Sequence, residues 1–199
     1  NMNSPLAERM RVEYYRNLFR EMGDDVKIGC GVKIVHPQNI SLGNKVTIHD
    51  NCVLIANSSK GISIGNEVTL KHGVYLDTEV PDTGYIEIGN SVYIGTGCCL
   101  HGHVGLEIGD FTLMAQNITI TPFSHKFANR DDLIWHQGGH SRKVSIGRDC
   151  YIGMSCSILY SADIMDGSVI GSGSVVVKTI PPYSVAVGVP ARVIKKRGD

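Results

Sequence analysis

The sequence predicts an all-β chain wound as a parallel β-helix, with a helical cap in front and one long loop leaving its side. Three observations predict it. An aliphatic residue returns at every sixth position over the stretch Ile146, Ile152, Ile158, Ile164, Ile170, Val176. Four residues after each comes a small or aliphatic residue: Cys150, Cys156, Ala162, Ser168, Ser174, Ile180. Glycine is plentiful, 23 of 199 residues, and aromatics are scarce, as a solenoid with tight corners requires. A six-residue period matches neither the helical period of about 3.6 nor a long alternation of about two. It is the hexapeptide pattern of stacked coils. Each six makes one flat face, and three faces close a triangular coil. The aliphatic points inward and the small residue fills the corner. Each fully buried aliphatic contributes about 1.5–3 kcal/mol.

In chain order, Ser4 to Met22 reads as a helix: Ser4 as N-cap, Pro5 at the first helical position and Gly23 as the stop. Leu6, Met10, Tyr14 and Leu18 form one stripe, with Val12, Tyr15, Phe19 and Met22 beside it. Such a helix would cap the open end of the solenoid. Asn1 before Met2 reads as a cloning remnant. The sixes run from Ile28 and Ile34 through Leu42, Ile48, Leu54, Ile64, Leu70, Leu76, Ile88, Ile94, Leu100, Ile108, Met114 and Ile120. Short breaks rich in Gly, Asn, Ser and Pro fall at Pro37–Asn39, Asn57–Gly61, Pro81–Gly84 and near His101–Gly105; in repeat proteins such insertions map to loops, often on the binding face. After Ile120 the pattern vanishes until Val144. That loop holds Phe123, Phe127, Leu133, Ile134 and Trp135, the only tryptophan. So many apolar anchors argue against disorder and for an arm that packs on a neighbour and lines a site. The division expected is residues 1–25 as helical cap and 26–199 as β-helix, with the loop at 121–143 and a basic tail of Arg192, Lys195, Lys196 and Arg197.

Composition excludes several classes. Nineteen Lys and Arg balance nineteen Asp and Glu, so no net field points to nucleic acid or an anionic membrane. No apolar run is long enough to span a bilayer. Of six cysteines, Cys52, Cys98, Cys150 and Cys156 stand on small inward positions and read as buried free thiols. With no apolar signal segment at the start, a reducing cytoplasm is the expected compartment.

Three segments carry a resemblance: Ser124-His125 opening the arm, Asp132 to Gly138 closing it, and Ile146 to Gly153 through Pro190 to Lys195. Together they resemble the hexapeptide-repeat O-acetyltransferases, a group that includes galactoside, maltose, nodulation-factor, capsule and lipopolysaccharide acetyltransferases. The resemblance implies a left-handed winding, against the hand that ordinary crossovers favour. It also implies acetyl-coenzyme A as donor and a homotrimer with sites between prisms. The acceptor would be a hydroxyl of a sugar or surface-polysaccharide precursor. His125 matches the family's catalytic base. A neutral imidazole can take the proton of a hydroxyl as its oxygen attacks the thioester. By the same resemblance Ser172, Val177 and Lys178 line the pantetheine arm, with Tyr151, Gly153 and Met154 beside the thioester. Arg192 and Lys195 lie near the adenosine phosphates. Tyr151 stands where many relatives carry Trp, and Met154 where some carry a small polar residue. Gly95 and His103 replace an acceptor-gripping Asn and a nearby Asp, which argues against simple galactosides and maltose. His103 and Trp135 are the acceptor-binding candidates, Trp135 by stacking on a sugar face. Phe127 stands where relatives often have a second histidine.

Other readings stay open. The acceptor alternatives are an antibiotic hydroxyl or an amino-sugar nitrogen. A γ-type carbonic anhydrase shares the scaffold and needs three converging histidines, for which His101, His103, His125, His136 and His140 are candidates. A trimer without catalysis and an ice-binding surface complete the set, the latter supported by only one Thr-X-Thr rank, Thr119 to Thr121.

Overall fold

In the computed structural model, which describes residues 4–199, three sheets of six, nine and seven strands, parallel except for the last strand of the nine, wrap one apolar interior. The Asn1-Met2 pair lies outside the described residues. The expected sixes are the building blocks. Face one pairs Ile40–Leu42, Gly61–Ile64, Tyr85–Ile88, Leu106–Ile108 and Val144–Ile146 in turn, and single bridges continue it to Ile164 and Ile180. Face two runs from Lys27–Ile28 to Ser184–Val187, and face three from Lys33–Val35 to Val175–Val176. Within each face the inward residue of one coil pairs with that of the next, as Leu54 with Leu76 and Leu76 with Leu100. These side chains are wholly buried. Ile34, in the first coil, is half-buried because no coil precedes it.

Two of the three corners follow one rule. The third residue after the inward aliphatic has positive φ, at Lys45, Glu67, Ser91, Phe111 and Asp149 on the first corner and at Asn51, Gly73, Gly97, Asn117 and Ser155 on the second. That conformation turns the residue's N–H back toward the preceding coil. Lys45 N donates to Asp24 O (2.7 Å), Glu67 N to Asn44 O (2.8 Å), Asn51 N to Cys30 O (2.8 Å) and Gly97 N to His72 O (3.0 Å). Face N–H groups point the other way, as Thr47 N to Val68 O. The first corner adds a side-chain ladder in which Asn44, Asn66, Asn90 and Asp110 each take the backbone N–H one coil before.

The N-terminal helix is shorter than its sequence suggested. It spans Pro5–Arg16, with the Ser4 hydroxyl accepting from Ala7 N (3.2 Å). Leu18 N and Phe19 N both turn back to Tyr15 O, and Arg20 N then bonds Ile40 O. Glu21–Met22 thereby becomes a strand of face one. Met22-Gly-Asp-Asp-Val-Lys is thus a hexapeptide of the first coil, and Gly23 is its corner glycine rather than a helix stop. Val12 and Tyr15 pack on the core and Phe19 is buried, whereas Leu6, Met10 and Tyr14 face outward. At the other end, Arg192–Lys196 folds back antiparallel on Ser184–Val187, with Ala186 and Ala191 closing the interior. Val189, Val193 and Ile194 remain exposed, so only part of the apolar tail closes the last coil.

Cys52, Cys98, Cys150 and Cys156 occupy corners as buried free thiols. Cys52 Sγ donates to Lys71 O at 3.0 Å and Cys98 Sγ to Ala115 O at 3.1 Å. Burial pushes both thiols up to about 11, far from the thiolate that reacts near neutral pH. Titration of the native protein with a disulfide reagent should therefore modify no more than the two half-buried thiols, Cys30 and Cys99, and all six only after unfolding. Rapid native reaction of more than two thiols would contradict this corner packing.

Candidate active site

The third corner, between faces three and one, breaks the rule, and every insertion leaves from it. Pro37–Asn39 forms a short 3-10 turn there. The segments 57–60, 78–84, 102–105 and 122–143 follow on successive coils. Gly61 closes the second of these at φ 67°, where a Cβ would collide with the Asn39 carbonyl oxygen. Because coils stack, these loops lie one above another. Gly102 N donates to Asp77 O (2.8 Å), Tyr85 N to Gly102 O (3.1 Å) and Val144 N to Gly105 O (3.1 Å), so three insertions share one backbone network.

A polar cluster grows from that network. The Tyr75 hydroxyl donates to Asp77 Oδ2 at 2.6 Å. This bond to a carboxylate, with burial behind it, pushes the Tyr75 phenol up to about 12. Asp77 Oδ1 takes the backbone N–H of Glu79 at 2.7 Å, holding Glu79 at a φ of 55°. The Glu79 carboxylate spans two imidazoles: Oε2 is 2.7 Å from His103 Nδ1 and Oε1 is 2.9 Å from His101 Nδ1. The second approach is off the N–H direction, leaving that buried nitrogen without an aligned hydrogen bond. His101 Nε2 lies 3.2 Å from Cys99 Sγ. The His103 ring packs on Phe123 at 4.6 Å, and Phe123 meets His125 edge-on at 4.8 Å.

His125 sits where the arm leaves. Phe123–His125 pairs antiparallel with Gly139–Ser141, His125 opposite Gly139. Gly139 is needed because a Cβ would strike the Phe123 ring. The root is fastened by ion pairs of Arg142 with Asp163 and Lys143 with Glu107 (2.8 Å). Lys143 holds the Glu107 carboxyl below its usual range. At the tip, the Gln137 amide accepts from Asn129 N (3.1 Å) and donates to Asn129 O (2.7 Å) and Asp132 O (2.9 Å). Phe127, Leu133, Ile134 and Trp135 are exposed on the arm, Trp135 at 86%. His103 and Trp135, both expected to touch an acceptor, thus stand on separate parts of the edge, one clamped and one open.

The expected donor residues fall into four groups. Gly153, Met154 and Ser172 lie at the second corner of neighbouring coils. Gly153 N donates to Ile170 O, and a Cβ on Gly153 would come 2.5 Å from Ser172 N. Tyr151 projects from face two between Leu113 and Val169 and, with Tyr93, Gly95 and Leu113, lines a shallow hollow of about 370 Å³. Val177 and Lys178 stand across face three at the third corner. A single prism therefore does not gather Ser172 with Val177 and Lys178. Arg192 and Lys195 lie on the terminal strand, Arg192 donating to Ala191 O and Lys195 to Asp199 O, both at 2.9 Å. Lys196 and Arg197 are structural: Lys196 Nζ bonds Pro182 O and Ser184 Oγ, and Arg197 bonds Asp149 Oδ2 and Gly167 O.

Glu79 carries no role in the sequence reading, where His101 stands only as a candidate zinc ligand and Phe123 only as an apolar anchor of the arm. The signal was available in the spacing: Glu79 precedes His101 and His103 by one coil plus its insertion. Among the described residues, no group of three or more His, Cys, Asp or Glu is arranged to hold a metal ion. No helix among them is long and apolar enough to cross a membrane. A surface depression of about 810 Å³ runs along the outside of face one past Ser41, Ser63, Glu87 and Ser145, and no imidazole or thiol lines it.

Stacked hexapeptide coils with an arm at one corner define a class, and comparison with known proteins agrees. Residues 143–178 match the bacterial transferase hexapeptide family (six repeats), and 45–78 match the hexapeptide repeat of succinyl-transferase. Two separate segments of the chain thus carry the repeat of hexapeptide families. The chain is 33% identical over 171 residues to a probable acetyltransferase of Mycobacterium tuberculosis, covering 83% of this chain and 54% of that protein. It therefore spans about half of that relative's length. It is 28% identical over 204 residues to the galactoside O-acetyltransferase of Escherichia coli, covering 100% of this chain and 92% of that one. In fold it is similar to AntD, an N-acyltransferase from Bacillus cereus solved with dTDP-4-amino-4,6-dideoxyglucose and coenzyme A, at a TM-score of 0.66 and 23% identity over 95% of this chain and 90% of that one.

The Gln137 clasp should govern the arm tip alone. Gln137→Ala should speed proteolytic cleavage within residues 126–136 several-fold and leave the melting temperature of the prism unchanged. A global loss of stability would show that the tip is part of the core.

Proposed function

We propose that this chain is an acetyl-coenzyme A-dependent O-acetyltransferase acting on a hydroxyl of a sugar or surface-polysaccharide precursor. His125 is its general base, and the working form is a homotrimer. The observation that carries the reading is the arm root: an exposed imidazole held by a two-stranded pair, on the one edge where all insertions converge, separated by the Phe123 ring from a second imidazole clamped by a carboxylate. Its likeness to the galactoside O-acetyltransferase over the whole chain supports the same reaction class.

The chemistry needs little else. The acceptor hydroxyl gives its proton to His125 as its oxygen attacks the thioester carbonyl. A backbone N–H at a coil corner is suited to hold the resulting oxyanion. Collapse expels the coenzyme thiolate, which recovers the proton from the imidazolium. The coenzyme would lie along the second corner of the last coils, over Gly153, Met154 and Ser172 beside Tyr151. Its phosphates would meet Arg192 and Lys195, the two tail cations that do not bind across to other coils. Val177 and Lys178 would close the same cleft from the adjacent subunit. That arrangement accounts for their distance from Ser172 within one prism. It also gives the exposed arm, with Phe127, Ile134 and Trp135, a neighbour to cover it and an acceptor for Trp135 to contact.

His125→Ala should lower transfer by about 10²–10⁴-fold while the sedimentation coefficient and the coenzyme A affinity by calorimetry stay those of the wild type. The activity is read as thiol release against a panel of sugars, nucleotide sugars and antibiotics. Undiminished turnover in the variant would remove His125 from the mechanism.

A further inference from the structure

Resting on this transferase reading, the geometry points to Glu79 as a positioning residue that sets which nitrogen of His103 faces the acceptor. Glu79 Oε2 lies 2.7 Å from His103 Nδ1, a hydrogen-bond distance. A carboxylate without its proton only accepts, so Nδ1 carries the hydrogen. In the neutral ring the lone pair is then on Nε2, the nitrogen with no protein partner among the described residues. His103 becomes a hydrogen-bond acceptor of fixed orientation and binds a hydroxyl of the sugar. A ring nitrogen bearing hydrogen would instead favour an ether or carbonyl oxygen.

Three features show that the carboxylate is built into place. Glu79 has a left-handed backbone, φ 55°, which costs a non-glycine residue energy and persists where surroundings enforce it. Asp77 enforces it through the Glu79 N–H, and Tyr75 holds Asp77 in turn. His101 flanks the other carboxylate oxygen at 2.9 Å, so the carboxylate cannot swing away without losing both imidazoles. Phe123 packs on the His103 ring at 4.6 Å and meets His125 edge-on at 4.8 Å, so a single aromatic ring separates His103 from the proposed base. The two imidazoles then divide the work: His125 takes the proton of the reacting hydroxyl, and His103 holds the sugar.

The test reads the tautomer directly. Long-range proton–nitrogen correlation spectra of protein carrying isotope-labelled histidine, recorded where imidazoles are neutral, should show His103 with its hydrogen on Nδ1. Loss of the signal in His103→Ala assigns it. Glu79→Gln should shift His103 toward the Nε2–H form. If Glu79→Gln fails to fold, Glu79→Asp, which keeps the charge and withdraws it by one methylene, should show the same shift. With the sugar best used by the wild type in the thiol-release panel, Glu79→Gln should raise the acceptor KM about 10–100-fold and leave the acetyl-coenzyme A KM unchanged. The double variant should be no worse than His103→Ala alone. An Nε2–H tautomer in the wild type, or a Glu79→Gln defect that persists in the His103→Ala background, overturns the proposal. The spectra need no substrate. An Nδ1–H tautomer in a protein that transfers to no acceptor would sink the transferase reading and leave the positioning intact.

Discussion

Two corners of every coil are held by a backbone N–H that points backward, against the direction of the sheet bonds. The residue that supplies it must adopt positive φ, which costs a non-glycine residue about 1–2 kcal/mol. Lys45, Glu67, Ser91 and Phe111 all accept that cost. The return is a hydrogen bond worth about 0.5–1.5 kcal/mol net, and an avoided buried orphan that would cost about 1–3 kcal/mol. An extra residue at either corner would misdirect the N–H, and at the first it would also break the side-chain ladder of Asn44, Asn66 and Asn90. The third corner has backward bonds too, Ala56 N to Val35 O, Thr78 N to Ile55 O and Gly102 N to Asp77 O, but each comes from the first residue after the strand and leaves the segment beyond it unfixed. Loops can grow there without disturbing the stack, so the prism collects its variable chemistry on one edge.

Stacking then makes neighbours of residues about one coil apart. Glu79 and His103 touch because 24 residues separate them and each leaves the same corner. Tyr85 and Glu107 pair on the adjacent face by the same arithmetic, 22 residues apart. The site is therefore assembled vertically, one or two side chains per coil, and the arm closes it from above. A rigid scaffold of buried aliphatics limits how far any of these groups can drift.

Much of this was legible in the sequence. The sixes from Ile28 to Val176 place the inward ladder, and the break after Ile120 marks the arm. The first coil was hidden because Gly23 suits both a helix stop and a hexapeptide corner, and Met22 continues a helical stripe as well as it opens a six. Pairing with Ile40–Leu42 decided between them, and pairing is not a local property. In the site, His125 and His103 stood in recognisable places. Glu79 did not, because its role depends on the register between two insertions. The expected donor residues rest on resemblance alone, and Ser172 and Val177 lie on opposite borders of one face.

Several apolar groups remain uncovered on one chain: Leu6, Met10 and Tyr14 on the helix, Trp135 and Ile134 on the arm. A cleft between prisms would cover the arm and unite the divided residues expected to hold the donor. The most direct measurement is a crystal structure of the protein grown with coenzyme A. The account predicts the pantetheine along Gly153 and Ser172, the phosphates on Arg192 and Lys195, and the thiol pointing to His125 at the boundary between two chains. A coenzyme bound elsewhere, or a thiol remote from that imidazole, would contradict it.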